Sequence, residues 1–76
     1  SFDDYEVQLQ AEEIRKAITE LPDGYRVVLS LYLLEGYDHE EIAHILKISE
    51  NTSRTQYMRA KKKLKSILEM KGMRDE

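Results

Sequence analysis

Two groups of residues in this chain have the types and spacing to do chemistry. The first is His39-Glu40-Glu41-Ile42-Ala43-His44, which resembles the His-Glu-x-x-His zinc motif but carries one residue too many. Histidines five apart on a helix point about 140° away from one another, so they do not converge on one ion. Both are expected to face solvent or a partner protein. With no cysteine in the chain, and serines only at expected caps or helix surfaces, no nucleophile is paired with a base. No metal, cofactor or catalysis is expected. The second group is cationic: Arg54, Arg59, Lys61, Lys62, Lys63 and Lys65 fall within twelve residues that contain no acid. On a helix these side chains form either a phosphate-attracting surface or a solvated end whose charges complement the macrodipole.

The net charge of −3 hides a strong segregation. Residues 1–53 carry twelve acids against four bases, a net of −8, whereas residues 54–76 carry eight bases against three acids, a net of +5. All the positive potential therefore lies in one terminal segment. Seventy-six residues make one domain spanning 1–76, near the size where a single core is just sufficient for folding. Without cysteines, aliphatic packing has to hold that core, in keeping with a reducing, cytoplasmic setting. No apolar run approaches the ~20 residues needed to cross a bilayer, and no signal-peptide profile opens the chain. Membrane insertion is not expected.

The elements that must position the cations are helices, because apolar residues recur at three- and four-residue steps and nowhere alternate. Val7, Ala11, Ile14, Ala17, Ile18 and Leu21 mark one face of a first helix ending near Leu21-Pro22. Pro22-Asp23-Gly24 reads as a turn. Tyr25 to Leu34 is apolar nearly all round, which predicts a central, buried second helix, ended by Gly36. Asp38 and Glu41 have the spacing of a capping box opening a short third helix, with Ile42, Ala43, Ile45 and Leu46 inward, that hardly passes Lys47. Ser49 caps a fourth helix from about Glu50 to about Met70, with Ser53, Tyr57, Ala60, Leu64, Ile67 and Leu68 along one face. Ser1 to Asp4 and Lys71 to Glu76 are expected to fray.

Helices three and four, separated only around Lys47-Ile48-Ser49, have the helix-turn-helix arrangement. Ala43 lets the helices cross closely, Ile48 plugs the turn, and Lys47 stands where a left-handed glycine is often found, at a cost of about 1 kcal/mol. At 100° per residue, Asn51, Thr55, Met58, Arg59 and Lys62 gather roughly opposite the core face. Asn51 to Arg59 spans about 12 Å, close to the width of a major groove, and Met58 could meet a thymine methyl. Lys61 to Lys65 would lie beyond the bases, along phosphates.

The runs Leu21-Pro22-Asp23-Gly24-Tyr25-Arg26-Val27-Val28, Glu35-Gly36-Tyr37-Asp38-His39-Glu40-Glu41-Ile42-Ala43, Ile48-Ser49-Glu50-Asn51-Thr52 and Arg59-Ala60-Lys61-Lys62-Lys63-Leu64 resemble, over residues 11–68, the C-terminal region 4 of bacterial extracytoplasmic-function sigma factors. The resemblance implies an all-α fold, a small bundle of about four helices containing a winged-helix-like three-helix DNA-binding core without a wing. It implies recognition of the minus-35 promoter element, docking on the β-subunit flap of RNA polymerase core, and an anti-sigma factor as a further partner. It also places Thr52, Arg54, Thr55 and Arg59 against DNA, with Gln56 close by; together with Asn51, Met58, Lys62 and Lys63 these are the expected DNA-binding residues. The chain departs from the family in three ways: Lys47 replaces a turn glycine, Ser53 a buried valine, and Asn51 and Gln56 stand where glycine and arginine are common. Ser53 should loosen the seat of the reading helix unless its hydroxyl bonds back to the preceding turn.

An N-terminal promoter-melting domain in a longer chain is implied by the same resemblance. Two other readings stay open: a helix-turn-helix output domain of the response-regulator type, and a protein-interaction module that reads no DNA. Tyr25 and Tyr32 are expected at the core or its rim, with exposed Leu33 or Leu34 available to a partner. Asp3, Asp4, Glu6, Glu12 and Glu13 form a solvated face, with Glu12 and Lys16 as an i, i+4 pair. Their repulsion of DNA would turn the fourth helix toward the phosphates.

Overall fold

The structure, a computed structural model, describes residues 2–72, with side chains described from Gln10 onward. Four helices follow one another: α1 Phe2–Thr19, α2 Asp23–Leu33, α3 His39–Leu46 and α4 Glu50–Met70. No strand occurs among the described residues. Local chemistry explains most boundaries. Asp38 accepts from the Glu41 amide at 2.8 Å while Glu41 Oε1 accepts from the Asp38 amide at 3.0 Å, a complete capping box. Ser49 Oγ accepts from the Thr52 amide at 2.9 Å and donates to Thr52 Oγ1 at 2.8 Å, closing the first turn of α4. After α2 the chain turns through Gly36 at φ 79°, and after α3 through Lys47 at φ 58°, the left-handed region that L side chains enter reluctantly. The Ala43 carbonyl receives the amides of both Lys47 and Ile48 there, which offsets part of the strain.

Two expected boundaries move. Asp23 and Gly24 belong to α2, so the connection after α1 is confined to residues 20–22: Pro22 at φ −54° suits the residue ahead of a helix, and Asp23 in the first turn pairs with Arg26 at 2.6 Å. At the N-terminus, α1 already includes Phe2, Asp3 and Asp4, which were expected to fray. Ser1 and Met73–Glu76 lie outside the described residues, as do the side chains of Asp3, Asp4, Glu6 and Val7. Lys16 pairs with Glu13, at 3.7 Å, rather than with Glu12.

The core is built from Ala17, Ile18 and Leu21 at the end of α1, Leu29 of α2, and Ala60 and Leu64 of α4, with Ile14, Tyr25, Tyr57, Ile67 and Leu68 packed against it. Ala17 and Ala60 are both wholly buried, and their small side chains permit close approach of α1 and α4. α4 packs on all three other helices and is the spine of the fold. α2, expected to be buried all round, buries only Val28 and Leu29; Val27, Leu33 and Leu34 are exposed. Three other helices cannot surround an eleven-residue helix when the longest of them is itself central. In α3 only Ile42 is fully buried: Ala43 and Leu46 are half-buried, and Ile45, expected inward, is 45% exposed. Ile48 is half-buried in the turn.

Candidate nucleic-acid interface

α4 sorts its side chains as its periodicity demands. Ser53, Ala60 and Leu64 are buried, and Tyr57 is half-buried between them. Asn51, Thr52, Arg54, Met58, Arg59, Lys62 and Lys63 are exposed, and Thr55 is half-buried at the edge of that strip. Met58 is 70% exposed and lies in the middle of the strip. Arg54 is held by Glu50, one turn back, at 2.9 Å; both groups are largely solvated, so the pair is weak and easily exchanged for a phosphate. Gln56 stands apart from the strip. It is half-buried, and its Oε1 is buried without a hydrogen-bond partner among the described residues, so the side chain turns toward the protein.

The cations behave as two sets. Arg59, Lys62 and Lys63 gather with Tyr25 and Ser66 around a cleft of about 340 Å³ between the start of α2 and the second half of α4. Among the described residues no carboxylate lies within ion-pair distance of these three cations. Lys61 instead sits over the Tyr57 ring, 5.4 Å from its centroid, and Lys71 is taken by Glu20 at 2.6 Å. Ser66 could have been found from helical spacing, since it follows Lys62 by four residues and Lys63 by three. Tyr25 could not, because it comes from another helix.

A larger groove of about 910 Å³ runs along α3 and the turn, past Tyr37, Ile45 and Ile48. Glu40, Glu41 and Glu50 line it together with Lys47 and His44, so it is less cationic than the cleft beside Arg59, Lys62 and Lys63. The two histidines part company. His44 is exposed, as expected, but His39 is half-buried: its ring stacks on Tyr32 with centroids 4.7 Å apart and meets the edge of Tyr57 at 5.4 Å. Its Nδ1 lies 2.8 Å from the hydroxyl of Ser53, which is wholly buried. The expectation that both histidines face outward therefore fails for His39. The Ser53 hydroxyl reaches across to α3 rather than back along its own helix.

The family described as "Sigma-70, region 4" matches residues 11–64, most of the chain. This chain belongs to the sigma-70 region 4 family. It is also similar to the ECF RNA polymerase sigma factor SigM of Bacillus subtilis (strain 168), at 38% identity over 68 residues that cover 84% of this chain and 41% of that protein. The chain thus spans about two fifths of the relative it matches. Both findings bear out the resemblance to region 4 of the extracytoplasmic-function group, and with it the all-α helix-turn-helix fold. Sigma-70 region 4 is a DNA-binding part of a transcription factor and not an enzyme. Within this region 4, α3 and α4 are the helix-turn-helix, and no helix among the described residues is long and apolar enough to cross a membrane.

Proposed function

We propose that this chain reads the minus-35 promoter element, as the C-terminal part of an extracytoplasmic-function sigma factor that directs transcription initiation by RNA polymerase in the cytoplasm. The observation that carries this reading is the exposed strip of α4, where Asn51, Thr52, Arg54, Thr55 and Met58 precede a group of cations that no carboxylate pairs with among the described residues. In this reading Asn51, Arg54 and Thr55 hydrogen-bond base edges, and Met58 meets an apolar edge such as a thymine methyl. Thr52 is engaged with Ser49 and contacts the backbone of the duplex. Arg59, Lys62 and Lys63 grip phosphates, with the Tyr25 and Ser66 hydroxyls beside them, and supply affinity without sequence information. Gln56 contributes only if its side chain swings outward on binding.

The rest of the surface is suited to protein partners. Val27 and Leu33 of α2 and Leu34, the residue that caps it, are exposed apolar groups. They support docking on the β-subunit flap of the polymerase core, and the same face is available to an anti-sigma factor. Tethering to polymerase supplies the effective concentration that one small domain lacks. Selection of bound sequences from random DNA by the full protein in complex with polymerase tests the proposal. A defined motif at the minus-35 spacing is expected, and Arg59→Ala should weaken binding with a shallower salt dependence. Unchanged binding at several salt concentrations would count against it.

A further inference from the structure

The seat of the reading helix is made by a polar bond where apolar packing would be simpler. Ser53, the fourth residue of α4, is wholly buried, and the partner of its hydroxyl is Nδ1 of His39, the first residue of α3, at 2.8 Å. This side-chain hydrogen bond joins the two helices of the helix-turn-helix. The imidazole is itself fixed, stacked on Tyr32 of α2 at 24° between planes and met edge-on by Tyr57 of α4. Tyr32 and Tyr57 touch each other at 4.4 Å, so three rings from three helices form one block.

A buried hydroxyl needs a hydrogen-bond partner, and the partner within reach is Nδ1. The contact ties the first residue of α3 to the first turn of α4 whichever of the two groups donates. We propose that His39 is the positioning residue of the reading helix: through Ser53 it sets the rotation and depth of the first turns of α4, and hence where Asn51, Arg54 and Thr55 meet the bases. The inference rests on α4 being the duplex-reading helix. A merely space-filling His39 would contribute to stability alone. A positioning His39 contributes to the difference between the right and the wrong sequence, because hydrogen bonds to base edges are lost over a few tenths of an ångström while phosphate attraction is not.

The test measures, for the full protein on polymerase core, the affinity for the selected duplex divided by that for a scrambled duplex. His39→Ala and Ser53→Ala should each lower this ratio by about tenfold, the order expected for one orphaned buried polar group. The double variant should be no worse than either single one, because both remove the same bond. Affinity for the scrambled duplex should not change, and His39→Asn, whose side-chain amide can donate or accept near the place of Nδ1, should recover part of the loss. In the DNA-free protein the imidazole Nδ1 resonance should shift on Ser53→Ala, because the partner of that nitrogen is removed. Ratios unmoved by both single variants, losses that multiply in the double variant, or an Nδ1 resonance that Ser53→Ala leaves in place would overturn the inference. A wild-type protein that prefers neither duplex would overturn the reading of α4 instead, while the ¹⁵N spectrum would still judge the bond.

Discussion

The two halves of α4 belong to one helix and are seated differently. From Arg59 onward the buried face is Ala60 and Leu64, apolar side chains that join Ile18, Leu21 and Leu29 in the core, and the exposed face is cationic. From Glu50 to Met58 the one fully buried side chain is Ser53, tied to His39, and the exposed face is chemically mixed. Apolar burial is strong but non-directional, so it holds the second half in place without fixing its rotation finely. A hydrogen bond contributes less and is steep in distance and angle. The half proposed to grip phosphates tolerates the first kind of seat; the half proposed to read bases has the second.

That contrast can be broken by mutation. Leu64→Ala should lose about 2–4 kcal/mol of stability, the cost of a core cavity, and leave the preferred DNA sequence unchanged; thermal unfolding and repeated sequence selection check the two parts. A changed sequence preference would show the halves to be one unit. Arg59→Ala should weaken all duplexes alike and reduce the log–log salt slope by about one, whereas Asn51→Ala should cost about 1–3 kcal/mol at one base position and leave the slope alone. Binding titrations from low to moderate salt on matched and single-mismatch duplexes separate the two. Lys47→Gly relieves a left-handed φ of 58° and should raise stability by about 1 kcal/mol, read from the denaturation midpoint, without affecting either half of α4.

The smallest effect concerns Tyr57, at the junction of the halves. Burial, and secondarily the neighbouring Tyr32, raises its pKa above the ordinary 10.0. The folded state thus holds the phenolic proton more tightly than the unfolded chain. The stability this contributes is complete below pH 10.0 and is lost as pH rises through the raised value. Tyrosinate absorbance should show a component titrating above the ordinary range that Tyr57→Phe removes.

Much of this fold is legible in short stretches of residues. The Asp38–Glu41 capping box, the Ser49 cap, the glycine turn at Gly36 and the left-handed Lys47 are encoded within four residues of one another, and all four occur. The buried face of α4 follows from its period, since Ser53, Ala60 and Leu64 stand on one side. Errors collect where a neighbour in space decides. Ile45 and the apolar flank of α2 are exposed because no other helix reaches them, and periodicity cannot say how many neighbours a helix has. Gln56 sits near the reading strip in sequence, yet the packing turns it inward.

Helix identity, the capped ends of α3 and α4 and polarity of charge were already present in the order of the amino acids, because capping, turn conformation and periodicity act over a turn or two of chain. Which histidine would meet which serine across fourteen positions, and which cations would share a cleft with Tyr25, depended on how the helices cross. Crossing angles and depths are set by the summed packing of many side chains at once, a property that no local pattern contains.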